Sequence, residues 1–328
     1  MLGALLAVFS AATFGFNNAS VRRGVLSGTV SQALAITVPL GLPLFIVPAF
    51  FMGLLKDIGA ISLFQWGSLG MAGVLHFVWG RYCNYRAVQA MGSNLAGTVM
   101  QVQLLIALVL AMVFLGEVLT PLKVLGIAMI ASGPWIIFQA HGKGKEAVAE
   151  GPAGFKPDLV QGCVFALLAA TGYGVSPVLI SAGLDGMPGI GAGVLGGFVS
   201  YAASTAVVIA FFLVRPSELR HALAVDRIAG KWFVISGFAV WVSQFFRYLA
   251  LGIAPVTVVQ PLQQLSLLFR MLFGWMMNRE YEVFDLRAIM GIMVSFAGAI
   301  LLASSTEILN GWIVLPDAWR DALAWHWP

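Results

Sequence analysis

The sequence predicts an all-α polytopic membrane protein of ten transmembrane helices, arranged as two inverted five-helix repeats, and three observations carry that expectation. The first is composition. Hydrophobic residues make up 60% of the chain and charged ones 10%, against about 25% charged in a soluble domain, so polar surface is too scarce to coat a soluble globule. The second is the recurrence of apolar runs of about 20 residues, each able to cross a hydrocarbon core of roughly 30 Å. The third is an internal repeat of the chain's own sequence.

The spans fall near residues 2 to 21, 28 to 53, 62 to 87, 93 to 115, 120 to 139, 159 to 182, 188 to 213, 231 to 252, 255 to 277 and 284 to 304. The first begins at Met1 without a basic leader and continues for a full span, so it reads as a retained helix and not as a signal peptide. Cys83 and Cys163 both fall in spans and say nothing of redox compartment. The formal net charge of +4 fits positively charged loops better than a nucleic-acid partner, since no basic-aromatic platform accompanies it. The expected partners are the lipid bilayer of a plasma (inner) membrane and a small molecule.

The polar interval HGKGKEAVAEGPAGFKPD, residues 141–158, divides the chain into 1–140 and 159–305, with a Trp-rich tail at 306–328. A slide of 159 lays AATFGFNNASVRRG, residues 11–24, over ATGYGVSPVLISAG, residues 170–183. A slide of 163 lays YRAVQAMG (85–92) over YLALGIAP (248–255) and MQVQLL (100–105) over QQLSLL (263–268), and a slide of 165 carries EVLTPLKVLG (117–126) onto EVFDLRAIMG (282–291). Three blocks in the same order make chance a poor explanation. Five spans is an odd number, so the second unit must enter the membrane from the opposite side, and inverted pairs of this kind enclose a central site that rocking exposes to each side in turn.

FLGEVLTPLKVLGIAMIASG, residues 114–133, resembles the end of the fourth helix and the start of the fifth in EamA-type members of the drug/metabolite transporter superfamily. There a Gly-Glu closes one helix and a Thr opens the next. The resemblance implies a ten-helix carrier of small metabolites or drugs, with a central cavity lined from both halves. Thr120 followed by Pro121 independently makes a good N-cap and first-turn pair. Loop charge points another way on orientation. Eleven cations (Arg22, Arg23, Lys143, Lys145, Lys156, Arg215, Arg220, Arg227, Lys231, Arg279, Arg287) face three (Lys56, Lys123, Arg320), which places both termini outside, whereas the family's habit is to keep both in the cytoplasm.

Polar residues within the spans mark the candidate substrate site. Asn17 and Asn18 lie beside Gly15, and the matching stretch of the sixth span holds Tyr173, Ser176 and Pro177 beside Gly172 and Gly174. Gly and Pro at matching places suggest local unwinding, while helix clamping by the amides is the other reading. Asn94, Thr98 and Gln101 share one helix face, as do Gln263, Ser266 and Arg270, with Gln260 and Gln264 beside them. The third span adds His76, Arg81, Tyr85 and Arg86, and the eighth adds Gln244, Arg247 and Tyr248. A guanidinium at mid-membrane costs roughly 2.5–3.5 kcal/mol on insertion scales. Either an anionic ligand offsets that, or Arg81 bonds helix-end carbonyls or lipid phosphate. Pro39, Pro43 and Pro48 interrupt the second span, and Gly189, Gly193 and Gly197 line the seventh.

No HExxH, GxSxG or intramembrane carboxylate pair is present, and nothing calls for a metal or other cofactor, so an enzyme is not expected. The leading expectation is a secondary transporter of a small polar, anionic or zwitterionic metabolite. The absence of Asp and Glu from the spans argues against a cationic drug. The alternative is a non-transporting subunit or assembly factor that binds a membrane-complex partner, or a second copy, through Trp312, Trp319, Trp325 and Trp327.

Overall fold

Why the chain breaks its helices where it does explains most of the architecture. The computed structural model describes residues 2–117, 120–121, 123–129, 131–132, 157–187, 189–279 and six positions between 290 and 301, and among these all regular structure is helical. The helices are α1 Leu2–Gly24, α2 Val30–Thr37, α3 Gly41–Phe51, α4 Leu63–Gly73, α5 Arg81–Met91, α6 Ser93–Val99 and α7 Val102–Leu115. After the polar interval come α8 Leu159–Leu184, α9 Gly189–Val214, α10 Pro216–Leu223, α11 Arg227–Leu251, α12 Val256–Gln263 and α13 Ser266–Asn278. A 3-10 helix over Leu54–Ala60 precedes α4, and a π-helical stretch over Val74–Gly80 joins α4 to α5.

Six described helices or joined pairs are long and apolar enough to cross a membrane, and a seventh is added if Leu54–Ala60 and Leu63–Met91, which meet at 114°, form one span. The chain is an integral membrane protein. The expected spans over 120–139 and 284–304 lie partly and largely outside the described residues.

Helix starts follow local chemistry. Thr29 with Gln32 and Ser62 with Gln65 form capping boxes at α2 and α4, each satisfying two backbone donors reciprocally. Asp158 and Asp226 cap α8 and α11. Thr120 Oγ1 accepts from the Lys123 N–H at 3.3 Å, as the Thr-Pro pair predicts.

Breaks are equally legible once hydrogen bonds are followed. Pro39 has no N–H, and the Gly41 N–H turns to the Val38 carbonyl at 3.2 Å, so the second span divides into α2 and α3. In the fourth span the helix is interrupted at Met100–Gln101, and in the ninth at Gln264–Leu265. Under the slide of 163, Gln101 falls on Gln264, Ser93 on Val256 and Leu115 on Asn278, so the starts and ends of the two helix pairs coincide and their breaks overlap, offset by one residue.

Packing repeats the correspondence. α1 lies chiefly against α11 and α13, while α8 lies chiefly against α7, α5 and α4; each half sends its first helix into the other half. Two corrections follow. The unwinding expected at Gly15 and at Gly172–Pro177 does not occur, because α1 and α8 run unbroken, with Pro177 inside α8. Gly15 instead admits α13: a Cβ there would stand 2.6 Å from Phe269 Cβ and 2.7 Å from the Arg270 nitrogen. Arg22 and Arg23, counted as loop cations, belong to the last turn of α1, and Arg22 is buried, its Nη1 donating to the Val88 carbonyl at 3.1 Å near the end of α5.

At the bundle end that holds the N-terminus, Gly116 adopts φ 64° and terminates α7. This left-handed turn presents Glu117 to α12, where its carboxylate oxygens accept from the Val256 N–H at 2.8 Å and the Thr257 N–H at 2.7 Å. An acid from the first half thereby caps a helix of the second.

Candidate substrate site

The polar residues of α1, α8, α11 and α12 and of the π-helical stretch meet in the interior. The π-helical turn carries His76, 5% exposed. Such turns are commonly found at functional sites. His76 Nδ1 lies 2.7 Å from Ser176 Oγ on α8, and the Tyr173 ring centroid is 4.4 Å from the imidazole.

Arg247 enters the same place from α11, 2% exposed. Its Nη1 is 2.8 Å from His76 Nδ1 and 2.9 Å from Nε2, and its Nη2 donates to Ser176 Oγ at 3.1 Å. A nitrogen nearly equidistant from both ring nitrogens sits over the imidazole and not along either lone pair. Gln244 Oε1, one turn back on α11, is 3.5 Å from Nη1. All fourteen Asp and Glu residues of the chain lie outside the described membrane helices, so this guanidinium is surrounded by neutral dipoles.

Serines and amides complete the wall. Gln263 Nε2 donates to Ser10 Oγ at 2.8 Å, and Ser243 Oγ donates to the Ser10 carbonyl at 2.9 Å. Gln103 Nε2 donates to Gln264 Oε1 at 3.3 Å, and Gln264 Nε2 to the Gln260 carbonyl at 3.3 Å. Ser10, Gln103, Ser243, Gln260 and Gln263 line, with His76, Gln244 and Arg247, a cavity of about 30 Å³, room for about two waters. A second cavity of about 10 Å³ shares Tyr173, Gln103 and Ser266 with it.

Of the residues marked in the sequence, His76, Tyr173, Gln244, Arg247 and Gln263 line the first cavity, and Gln101, Gln264 and Arg270 line the second. Arg270 Nη1 donates to the Ser93 carbonyl at 2.9 Å. Asn17, Asn18, Arg81, Tyr85 and Tyr248 line neither. Asn17 Oδ1 accepts from Ser236 Oγ at 2.7 Å, and Asn18 Oδ1 from Asn84 Nδ2 at 3.1 Å, so both amides clamp neighbouring helices. Tyr248 is fully buried among the rings of Phe45 and Phe77. Arg81 donates to the Thr37 carbonyl at 2.9 Å and to the Tyr201 hydroxyl at 3.1 Å, and lies over the Phe77 and Tyr201 rings; Tyr85 reaches Thr37 Oγ1 at 3.4 Å. Arg86 lies over Phe165, 5.1 Å from the ring centroid.

Gln260, noted in the sequence beside Gln263, also lines the first cavity, and Ser10, Gln103 and Ser243 line it without having been noted. A signal existed for two of them. Ser10 and Asn17 stand seven apart on α1, Ser236 and Ser243 seven apart on α11, and the helices pair them antiparallel, Ser10 with Ser243 and Asn17 with Ser236.

Residues 1–139 match the EamA-like transporter family. The resemblance read from residues 114–133 is borne out, and the matched family is one of transporters, not of enzymes. A solved structure named only "Crystal structure of protein" is similar over 94% of this chain and 98% of its own, with a TM-score of 0.64 and 17% identity; at that identity the likeness is one of fold. No curated protein matches the chain.

Proposed function

We propose that this EamA-like protein is a secondary transporter moving a small polar, anionic or zwitterionic metabolite by alternating access between two inverted five-helix halves. One observation carries the reading: the Arg247 guanidinium is buried on the wall of a polar cavity between the halves, and no described membrane helix bears a carboxylate to neutralise it. Burying an uncompensated charge is costly. A carboxylate or phosphate takes the planar fork of arginine through two parallel hydrogen bonds, which gives the charge a partner when substrate binds.

The overlapping breaks at Gln101 and Gln264 and the reciprocal packing of α1 and α8 support the inverted relationship. The cavity is too small for most metabolites, as expected of a state closed around the site. Rocking of the halves would open it, with the Glu117 contact to α12 standing at one end of their boundary. Loop charge supports a plasma (inner) membrane protein with both termini outside.

The test is uptake by proteoliposomes of the purified full chain against a panel of labelled carboxylates, phosphates, amino acids and organic cations. Uptake of a member of the anionic or zwitterionic groups that is absent from empty vesicles is expected. Uptake of organic cations alone, or of nothing, would overturn the reading.

A further inference from the structure

His76 and Arg247 are packed so that only a neutral imidazole fits between the guanidinium and Ser176. Arg247 Nη1, which can only donate, lies 2.8 Å from His76 Nδ1 and 2.9 Å from Nε2, and Nδ1 is also 2.7 Å from Ser176 Oγ. A neutral ring accepts this neighbour, because it is electron-rich and one of its nitrogens carries a lone pair. An imidazolium does not: both nitrogens are then donors, and the ring bears a charge of the guanidinium's own sign. The contact and a proton on His76 exclude each other.

The surroundings offer nothing to balance two cations. The π-helical stretch packs against α4, α5, α8 and α9. Besides Arg247, the titratable groups around it are Tyr173, its ring 4.4 Å from the imidazole; Tyr201 and Tyr248, which pack on the adjacent Phe77; and Arg81 and Tyr85, which both bond Thr37. α4 brings no titratable group, and no described membrane helix carries Asp or Glu. Like charges in so poorly solvated a place repel strongly.

An anion reverses the balance. A carboxylate that takes the guanidinium fork draws Arg247 off the ring, cancels the charge beside His76 and offers the imidazolium an acceptor. We infer that His76 is a proton site linked to the anion site, taking a proton from water as an anion occupies Arg247 and returning it when the anion leaves. Such linkage is reciprocal, so proton and anion bind as a pair, which is what coupling of the anion to a proton gradient requires. The inference rests on the anion reading of Arg247.

Acetate is the probe, since a simple carboxylate is fully ionised near neutral pH and brings no proton of its own. It is added to the purified full chain in weakly buffered detergent solution, with binding followed by calorimetry and proton uptake by an indicator dye. The native protein should take up about half a proton or more per acetate bound, and its affinity should rise by about tenfold or more from about pH 8 to about pH 6, the change that half a proton per anion amounts to. In His76→Gln, whatever acetate binds should carry no proton. A variant with His141, His221 and His326 replaced by Gln leaves His76 the sole histidine, and its ring carbon resonances should move to the imidazolium position when acetate is added. Acetate binding without proton uptake, uptake that survives in His76→Gln, or a ring that stays neutral in the sole-histidine variant would overturn the proton site and leave the anion reading standing. If acetate does not bind, the proton site falls together with the anion reading for small carboxylates.

Discussion

The Arg81 guanidinium donates to the carbonyl of Thr37 at 2.9 Å, and that carbonyl is available because the helix breaks immediately after it. With Gly41 bonded to Val38, the Thr37 carbonyl has lost its helical donor. Arg81 replaces it, and the other arm of its fork meets Tyr201. The arginine that looks most like a substrate ligand in the sequence is engaged by the protein.

Arg81→Gln should therefore lower stability before it alters binding. A buried carbonyl left unmet costs about 1–3 kcal/mol, and the contacts over Phe77 and Tyr201 are lost as well. Thermal unfolding in detergent should show a lower midpoint, while ligand affinity of the folded fraction stays within about twofold, since the cavity wall retains all its contacts to Arg247. A normal midpoint with lost binding would return Arg81 to the substrate site.

Glu117→Ala removes two charge-assisted hydrogen bonds and an anion from the positive end of the α12 dipole. A loss of about 1.5–3 kcal/mol per charged contact is the upper scale for a half-buried site, so a lower unfolding midpoint is expected. Glu117→Gln keeps one acceptor oxygen and should recover part of the loss. Identical midpoints for all three proteins would show that the contact contributes nothing to holding the halves together.

Gly15→Ala tests whether the glycine serves close approach and not unwinding. The added Cβ meets the Phe269 Cβ and the Arg270 backbone at 2.6–2.7 Å, atoms with no freedom to rotate away, so α1 and α13 must separate. Overpacking of this kind costs about 1–3 kcal/mol. A helical glycine that needed only local flexibility would be stabilised by alanine, and a raised midpoint would contradict the packing account.

Orientation is decided by single-cysteine labelling in intact cells, with Cys83 and Cys163 replaced. Gly59→Cys and Ser217→Cys sit at opposite ends of the bundle, both exposed. If the loop cations set topology, an impermeant thiol reagent labels position 59 and spares position 217. The reverse pattern would show that the family's habit prevails.

Much of this was legible from the residues. Caps at Thr29, Ser62 and Thr120 are local chemistry, and the alignment of Gln101 with Gln264 pointed to the amide-bearing faces that line the two cavities. What the sequence could not show is partner choice. Arg81 and Arg247 both read as intramembrane arginines near a tyrosine, yet one meets a broken helix's carbonyl and the other a histidine and a serine, because only the fold decides where α2 ends relative to α5. Gly15 and Pro177 read as points of unwinding because close packing and backbone freedom favour the same residues. Ser10 and Ser243 became visible only through an antiparallel register between helices more than two hundred residues apart.

The central claim is that Arg247 holds an anionic group of the substrate, and the most direct measurement is proteoliposome uptake of the transported anion by Arg247→Lys and Arg247→Gln beside the native protein. Arg247→Lys keeps the charge and loses the planar fork; Arg247→Gln loses both. With monodisperse elution in detergent showing that each variant is folded, uptake should fall by about tenfold or more in Arg247→Lys and further in Arg247→Gln. Folded variants that transport the anion at native rates would contradict the claim.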